Sequence, residues 1–184
     1  MMLAEAGSWL TFYSLVGTAA ATLVGLMFVA VTFGANLVKP ETSDIARAFI
    51  DPPFRHFMQV LLTACLVVIP RMPPWLLGSL LAGVGAMRGT HLLRVRRHVR
   101  AAHAANGDVE LSDWMSLIVL PALCHALLVA TGVEFIAGWA PAFACLAVAT
   151  IAILLIGAVG AWELILWMVL TRASVKSPPP PPAA

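Results

Sequence analysis

The sequence predicts an all-α integral membrane protein, a bundle of about five transmembrane helices with its N-terminus outside and its C-terminus in the cytoplasm. Three observations carry that expectation: an apolar excess, five long apolar runs, and a one-sided distribution of Lys and Arg. The 184 residues are 61% apolar and 11% charged, against roughly 45–50% and about 25% in soluble globular domains. A small soluble domain buries only ~70% of the surface its unfolded chain exposes. Water would therefore meet more apolar surface than it tolerates, and hydrocarbon is the solvent that fits.

The first run covers about 9–38. Residues Met1 to Ser8 contain no Lys or Arg, so the positive segment of a cleavable signal peptide is missing and the run reads as a retained helix. A bilayer core needs ~20 helical residues. The second run, about 54–70, is short by that measure, whereas the first and the last are long enough to tilt. The third covers about 74–93 and has Arg88 and His91 near its end. Its helix is expected to continue through a basic stretch and to stop at Asn106-Gly107. The fourth covers about 114–134, with Ser112-Asp113 as an N-cap and Pro121 inside it. The fifth covers about 141–170. Residues 173–184 hold Pro178 to Pro182 and read as a disordered polyproline II tail. Together 1–172 form a single transmembrane domain.

Strands fit poorly. The runs lack period-two alternation and exceed the ~9–11 residues of a membrane barrel strand. Backbone groups in lipid must bond within the chain, which leaves helices. Pro40, Pro52, Pro53, Pro70, Pro73, Pro74 and Pro141 are all expected at or between run ends, where proline costs least.

Five crossings place Lys39, Arg47, Arg55, Arg88, Arg94, Arg96, Arg97, Arg100, Arg172 and Lys176 on one side and leave Arg71 on the other. The richer side is cytoplasmic by the positive-inside rule, and removing one crossing spoils the partition. Trp9, Trp75, Trp114 and Trp139 lie at run ends, where amphipathic rings settle. Cys65, Cys124 and Cys145 lie inside runs and read as small packing residues. No internal repeat is visible.

In the first run Gly17, Ala21 and Gly25 recur every four residues beside a hydroxyl stripe of Ser14, Thr18 and Thr22. Small residues let helix backbones approach and hydroxyls bond across the contact. Packing within the monomer is the plainer reading, and an oligomer contact or pore lining the alternative. The third run has a similar small face at Gly78, Ala82, Gly85 and Gly89. The stretch Phe12-Tyr13, Gly17-Thr18-Ala19-Ala20-Ala21-Thr22-Leu23 and Gly25-Leu26-Met27-Phe28-Val29 resembles the first helix of a group of uncharacterised small bacterial multi-span membrane proteins. That resemblance covers one helix. It implies a bacterial inner (plasma) membrane and brings no activity or functional residue with it.

Matching depths along the five helices brings His56, Gln59, Arg88, His91 and Glu163 into the cytoplasmic half. Ionisable groups in spans turn toward the bundle or water, so a polar cluster is expected there, with Arg88 and Glu163 as an ion pair. Snorkelling at the interface is the plainer reading, and a vestibule for protons, ions or solutes the sharper one. Pro121 removes a donor inside the fourth run, so a hinge is expected there with His125 one turn on, near the midplane. A hydrogen-bonded core histidine is the plainer reading of His125. No metal-ligand spacing accompanies it.

The run Arg94 to Arg100 reads as a juxtamembrane anchor for anionic lipid. It is too small for a nucleic-acid-binding domain. Asp51, Asp108, Glu110 and Asp113 read as loop and cap residues, no catalytic or nucleotide motif is present, and no cofactor is implied. The chain therefore reads as a non-enzymatic membrane protein, structural, accessory or oligomer-forming. The alternative is a channel or transporter component with a polar vestibule in its cytoplasmic half.

Overall fold

The computed structural model describes residues 2–34, 43–106, 119–139 and 141–176, with backbone alone for 2–6, 8, 43–49, 91, 93–106 and 173–176. The described residues form five helices and no strand: α1 (Met2–Gly34), α2 (Ser43–Val68), α3 (Pro74–Asn106), α4 (Leu120–Ala137) and α5 (Ala142–Lys176). Three of them contain stretches long and apolar enough to cross a membrane: Trp9–Gly34, Leu120–Ala137 and Ala142–Arg172. The helices α2 and α3 fall short on their own. Helix α2 carries Asp51, Arg55, His56 and Gln59, and α3 runs through Arg88 into the basic stretch.

Consecutive helices run antiparallel. Phe28 and Gly17 of α1 meet Phe54 and Ala64 of α2. Phe57 and Pro53 of α2 cover Gly157 and Gly160 of α5. Phe135 of α4 meets Phe143 of α5 edge-to-face at 4.9 Å. The helices α1 and α5 are parallel: the Tyr13 hydroxyl donates to the Phe143 carbonyl at 2.8 Å, and Gly34 meets Met168 further along. Thus α2 lies against α1 and α5, α4 lies against α5, and α3 packs mainly on α4 with slight contact to α2. Apolar clusters follow one another along the bundle. One centres on Tyr13, Leu81, Leu128, Phe135 and Leu146, the next on Val16, Ala20, Val60 and Ile153, and the last on Met27, Phe57 and Leu164.

The α3–α4 contact is backbone against backbone. A Cβ on Gly132 would lie 2.6 Å from the Gly78 carbonyl oxygen and 2.8 Å from the Ala82 nitrogen. Gly85 repeats the approach one step on, where a Cβ would lie 3.0 Å from the His125 carbonyl oxygen. The small face read from the third run is therefore a seam within the monomer, except at Gly89, where nothing lies within 4 Å.

The ends are closed by local chemistry. The Pro73 carbonyl accepts from Leu76 and Leu77 N–H at 3.0 and 3.1 Å, and Pro74 opens α3 where no donor is needed. Gly138 ends α4 with φ 74°. There Trp139 N–H bonds to the Glu134 carbonyl and Gly138 N–H to that of Phe135, a Schellman closure.

One proline expectation is reversed. Helix α2 begins at Ser43, well before the apolar run, so Pro52 and Pro53 lie inside it. Hydropathy marks where a helix becomes apolar, not where it starts. An interior proline costs ~3 kcal/mol; here Pro53 is buried and packs on Gly160. Helix α4 is described from Leu120, with Val119 before it already in helical conformation (φ −70°, ψ −49°). The carbonyl of Leu117, which a donor at Pro121 would reach, and with it the expected hinge, lie outside the described residues. Cys65 faces outward, whereas Cys124 is buried. The α3 end at Asn106 agrees with the expectation. Pro40, Ser112-Asp113, Trp114 and Pro178 to Pro182 lie outside the described residues.

The exterior is apolar. Leu15, Phe33, Leu155, Val159 and Leu170 are each about 60–75% exposed, a surface suited to hydrocarbon. Trp9, Trp75 and Trp139 share one end, together with Arg71 in the α2–α3 turn.

Adding a methyl tests the seam. Gly132→Ala should destabilise the detergent-solubilised protein by about 1–3 kcal/mol through overpacking, read as a lower melting temperature. Gly25→Ala, which meets nothing within 4 Å, should leave it unchanged or slightly raised.

Candidate functional site

Polar residues of α2, α3 and α4 converge in the half of the bundle holding the α1–α2 and α3–α4 connections. Gln59 and Thr63 are buried on one face of α2, with His56 half-buried a turn away. Residues three and four apart share a helix face, so the sequence spacing already placed them together. Facing them is His125 of α4.

His125 is held at both ring nitrogens. Nδ1 meets the Pro121 carbonyl oxygen one turn back, and Nε2 meets Gln59 Oε1 at 3.1 Å. Two acceptor oxygens on one ring is the geometry of a doubly protonated imidazole, since a neutral ring donates from one nitrogen only. A neutral ring keeps both bonds if the Gln59 amide turns over and presents its NH2 to Nε2. As placed, Gln59 Nε2 is buried with no hydrogen-bond partner among the described residues.

Arg88 closes the third side. Its Nη2 donates to the Arg55 carbonyl oxygen of α2 at 3.1 Å, and its charge acts on both His56 and His125. Gly85, one turn earlier, is what brings α3 close enough to α4 for this. The described ion pair is Arg55 with Asp51 at 2.9 Å, both exposed and four residues apart on α2, a type that adds little stability.

The expected cluster is therefore assembled in part and gains a member. His56, Gln59 and Arg88 come together and His125 joins them. The expected Arg88–Glu163 ion pair gives way to the Arg88–Arg55 carbonyl bond, because Glu163 is exposed on α5. The His91 side chain and those of Arg94 to Arg100 lie outside the described residues; the α3 backbone is helical through them.

The α1 face divides. Gly17 is buried on α2, where a Cβ would lie 2.9 Å from the Ala64 Cβ. Ser14, Thr18, Ala21, Thr22 and Gly25 are exposed. A four-residue step in a helix of 3.6 residues per turn overshoots by ~40°, so the stripe winds from the interior to the outside. Thr18 and Thr22 donate to the carbonyls of Ser14 and Thr18 at 2.8 and 2.9 Å. Their hydroxyls are thus satisfied by their own helix.

One half-buried group carried no role in the sequence. Glu134 closes the fourth apolar run, and α4 runs on past it to Ala137. The Cys145 thiol of α5 faces its carboxylate, and Oε2 has no partner among the described residues. The apolar neighbours Val133, Phe135 and Ile136 were the signal that the helix continued past it. Among the described residues no three His, Cys, Asp or Glu side chains group as metal ligands do.

Compared with protein families, curated proteins and solved structures, the chain matches none of them. The site is therefore read from its own chemistry: hydrogen-bond donors and positive charge at the buried junction of three helices.

Removing one member of the His125–Gln59 pair leaves the other buried and unpaired, at about 1–3 kcal/mol. His125→Leu and Gln59→Leu should each lower the melting temperature. The double variant should cost less than the sum, because neither polar group remains. Strictly additive shifts would show that the two side chains do not interact.

Proposed function

We propose that this chain is a five-pass protein of a bacterial inner membrane, N-terminus outside and C-terminus cytoplasmic, and that it acts by packing rather than by chemistry. In this reading it is a structural or accessory protein that assembles with a second copy of itself through α1. The observation that carries the reading is the outward α1 face of Ser14, Thr18, Ala21, Thr22 and Gly25. It is small enough for close helix approach and has its two threonine hydroxyls already bonded to its own backbone. Such a face is self-complementary across a two-fold axis.

The orientation draws support from the shared end of Trp9, Trp75, Trp139 and Arg71, which suits the face poor in positive charge. The crossings of α2 and α3 draw support from their packing. A helix too polar to cross alone is carried when its polar side faces the bundle, as Gln59 and His125 do. The basic helix end Arg94 to Arg100 would rest on anionic head groups. A second reading, a channel or transporter component, is favoured by the buried cluster of Gln59, His125, His56 and Arg88. The two readings part on ion or solute flux in proteoliposomes.

In a Cys65→Ala, Cys145→Ala background, oxidation in native membranes should cross-link Thr22→Cys into dimers. Val159→Cys, exposed on α5, should stay monomeric. Equal cross-linking at both positions, or none at Thr22→Cys, refutes assembly through α1. A membrane-impermeant reagent applied to intact cells should label an N-terminal tag and spare a C-terminal one. Labelling of both, or of neither, excludes an odd number of crossings.

A further inference from the structure

We propose that Gln59, His125, His56 and Arg88 form a binding site for a compact oxyanion of the phosphate type, taken up together with a proton on His125. The site stands apart from the packing role proposed for α1.

The first support is an imbalance of donors over acceptors. Gln59 is 3% exposed and, with its Oε1 toward His125, its Nε2 has no partner among the described residues. A buried donor left unpaired costs about 1–3 kcal/mol, so it calls for an acceptor. Among the described residues His56 has no hydrogen bond and Arg88 uses Nη2 alone, on the Arg55 carbonyl. The remaining guanidinium N–H groups match an oxyanion, which a planar fork recognises better than a point charge does.

The second support is the charge around His125 from each packed element. Helix α2 brings His56 and Arg55, and α3 brings Arg88. Next to His125, Cys124 packs against Val16 and Ala20 of α1 and Ile153 of α5, all apolar. Asp51 is engaged with Arg55 on the exposed side of α2, and Glu163 is exposed. No described carboxylate balances Arg88, and a half-buried charge without a counter-charge is partly desolvated with nothing to offset it. An anion supplies what these residues lack.

The third support is how His125 and Gln59 constrain each other. With His125 neutral, the Gln59 amide must give its NH2 to Nε2, and the ring consumes that donor. With His125 protonated, Nε2 donates to Oε1, as placed here, and the NH2 turns away from the ring. Protonation thus adds a positive charge and releases an amide donor in one step. Anion and proton binding then strengthen each other, as linkage requires. His56 and Arg88 are only half-buried, which leaves an approach from the cytoplasmic end.

The phosphate could be free or part of an anionic lipid head group. Gln59 is the sole glutamine in the sequence, so selective side-chain 15N labelling yields one pair of amide NH2 signals from the full-length protein in lipid-free detergent. Titration with inorganic phosphate, and separately with a short-chain phosphatidylglycerol, should shift that pair saturably. Binding should be at least several-fold tighter at acid than at alkaline pH. Saturation with inorganic phosphate assigns a free anion, and saturation with the lipid alone assigns a head group; either supports the site. Gln59→Glu, nearly isosteric, should abolish the phosphate-dependent rise in melting temperature. The absence of a saturable shift with both probes, or an affinity independent of pH, overturns the proposal.

Discussion

Hydrocarbon offers no hydrogen bonds, and that single constraint shapes each part of this molecule. Backbone groups are satisfied by helices, side-chain hydroxyls by the carbonyl four residues back, and the larger polar groups by one another. Thr18, Thr22, Thr32, Ser79 and Thr150 all use the i−4 carbonyl. They can therefore face either lipid or the bundle at little cost. Tyr13, which is fully buried, reaches a carbonyl on another helix and so ties α1 to the start of α5.

Where apolar attraction between helices is weak, contact depends on how closely backbones approach. The Gly78–Gly132 crossing serves this purpose, and its consequences extend to the polar cluster. Helix α3 has little contact with α2, so its position is set by α4. Gly132, Ala82 and Gly85 hold the two helices close enough for Arg88 to reach the Arg55 carbonyl. The packing seam and the candidate anion site are thus one arrangement: widening the first would move Arg88 away from the second.

The polar cluster was partly legible before any coordinates. His56, Gln59 and Thr63 share a helix face by spacing alone, and depth matching brought Arg88 to their level. Glu163 failed because depth along an axis says nothing about rotation around it. Pro52 and Pro53 were expected at a run end because hydropathy was taken as the extent of the helix, whereas α2 starts at Ser43, well before its apolar run. There the apolar content of the segment was read correctly and the helix boundary was not.

The sequence by itself called for an apolar solvent and determined the helical secondary structure. An apolar excess of this size excludes a water-exposed exterior, and long apolar runs without alternation exclude strands. The spacing of Lys and Arg between the apolar runs, with Arg71 alone between the second and third, was likewise a property of order along the chain. Only the tertiary structure decided which faces meet. It turned Gly17 inward and Thr22 outward on one helix, made the third helix's small stripe a seam with the fourth, and gave Arg88 a carbonyl in place of a carboxylate. Rotation about a helix axis is set by the sum of contacts with several neighbours, and no one-dimensional pattern contains that sum.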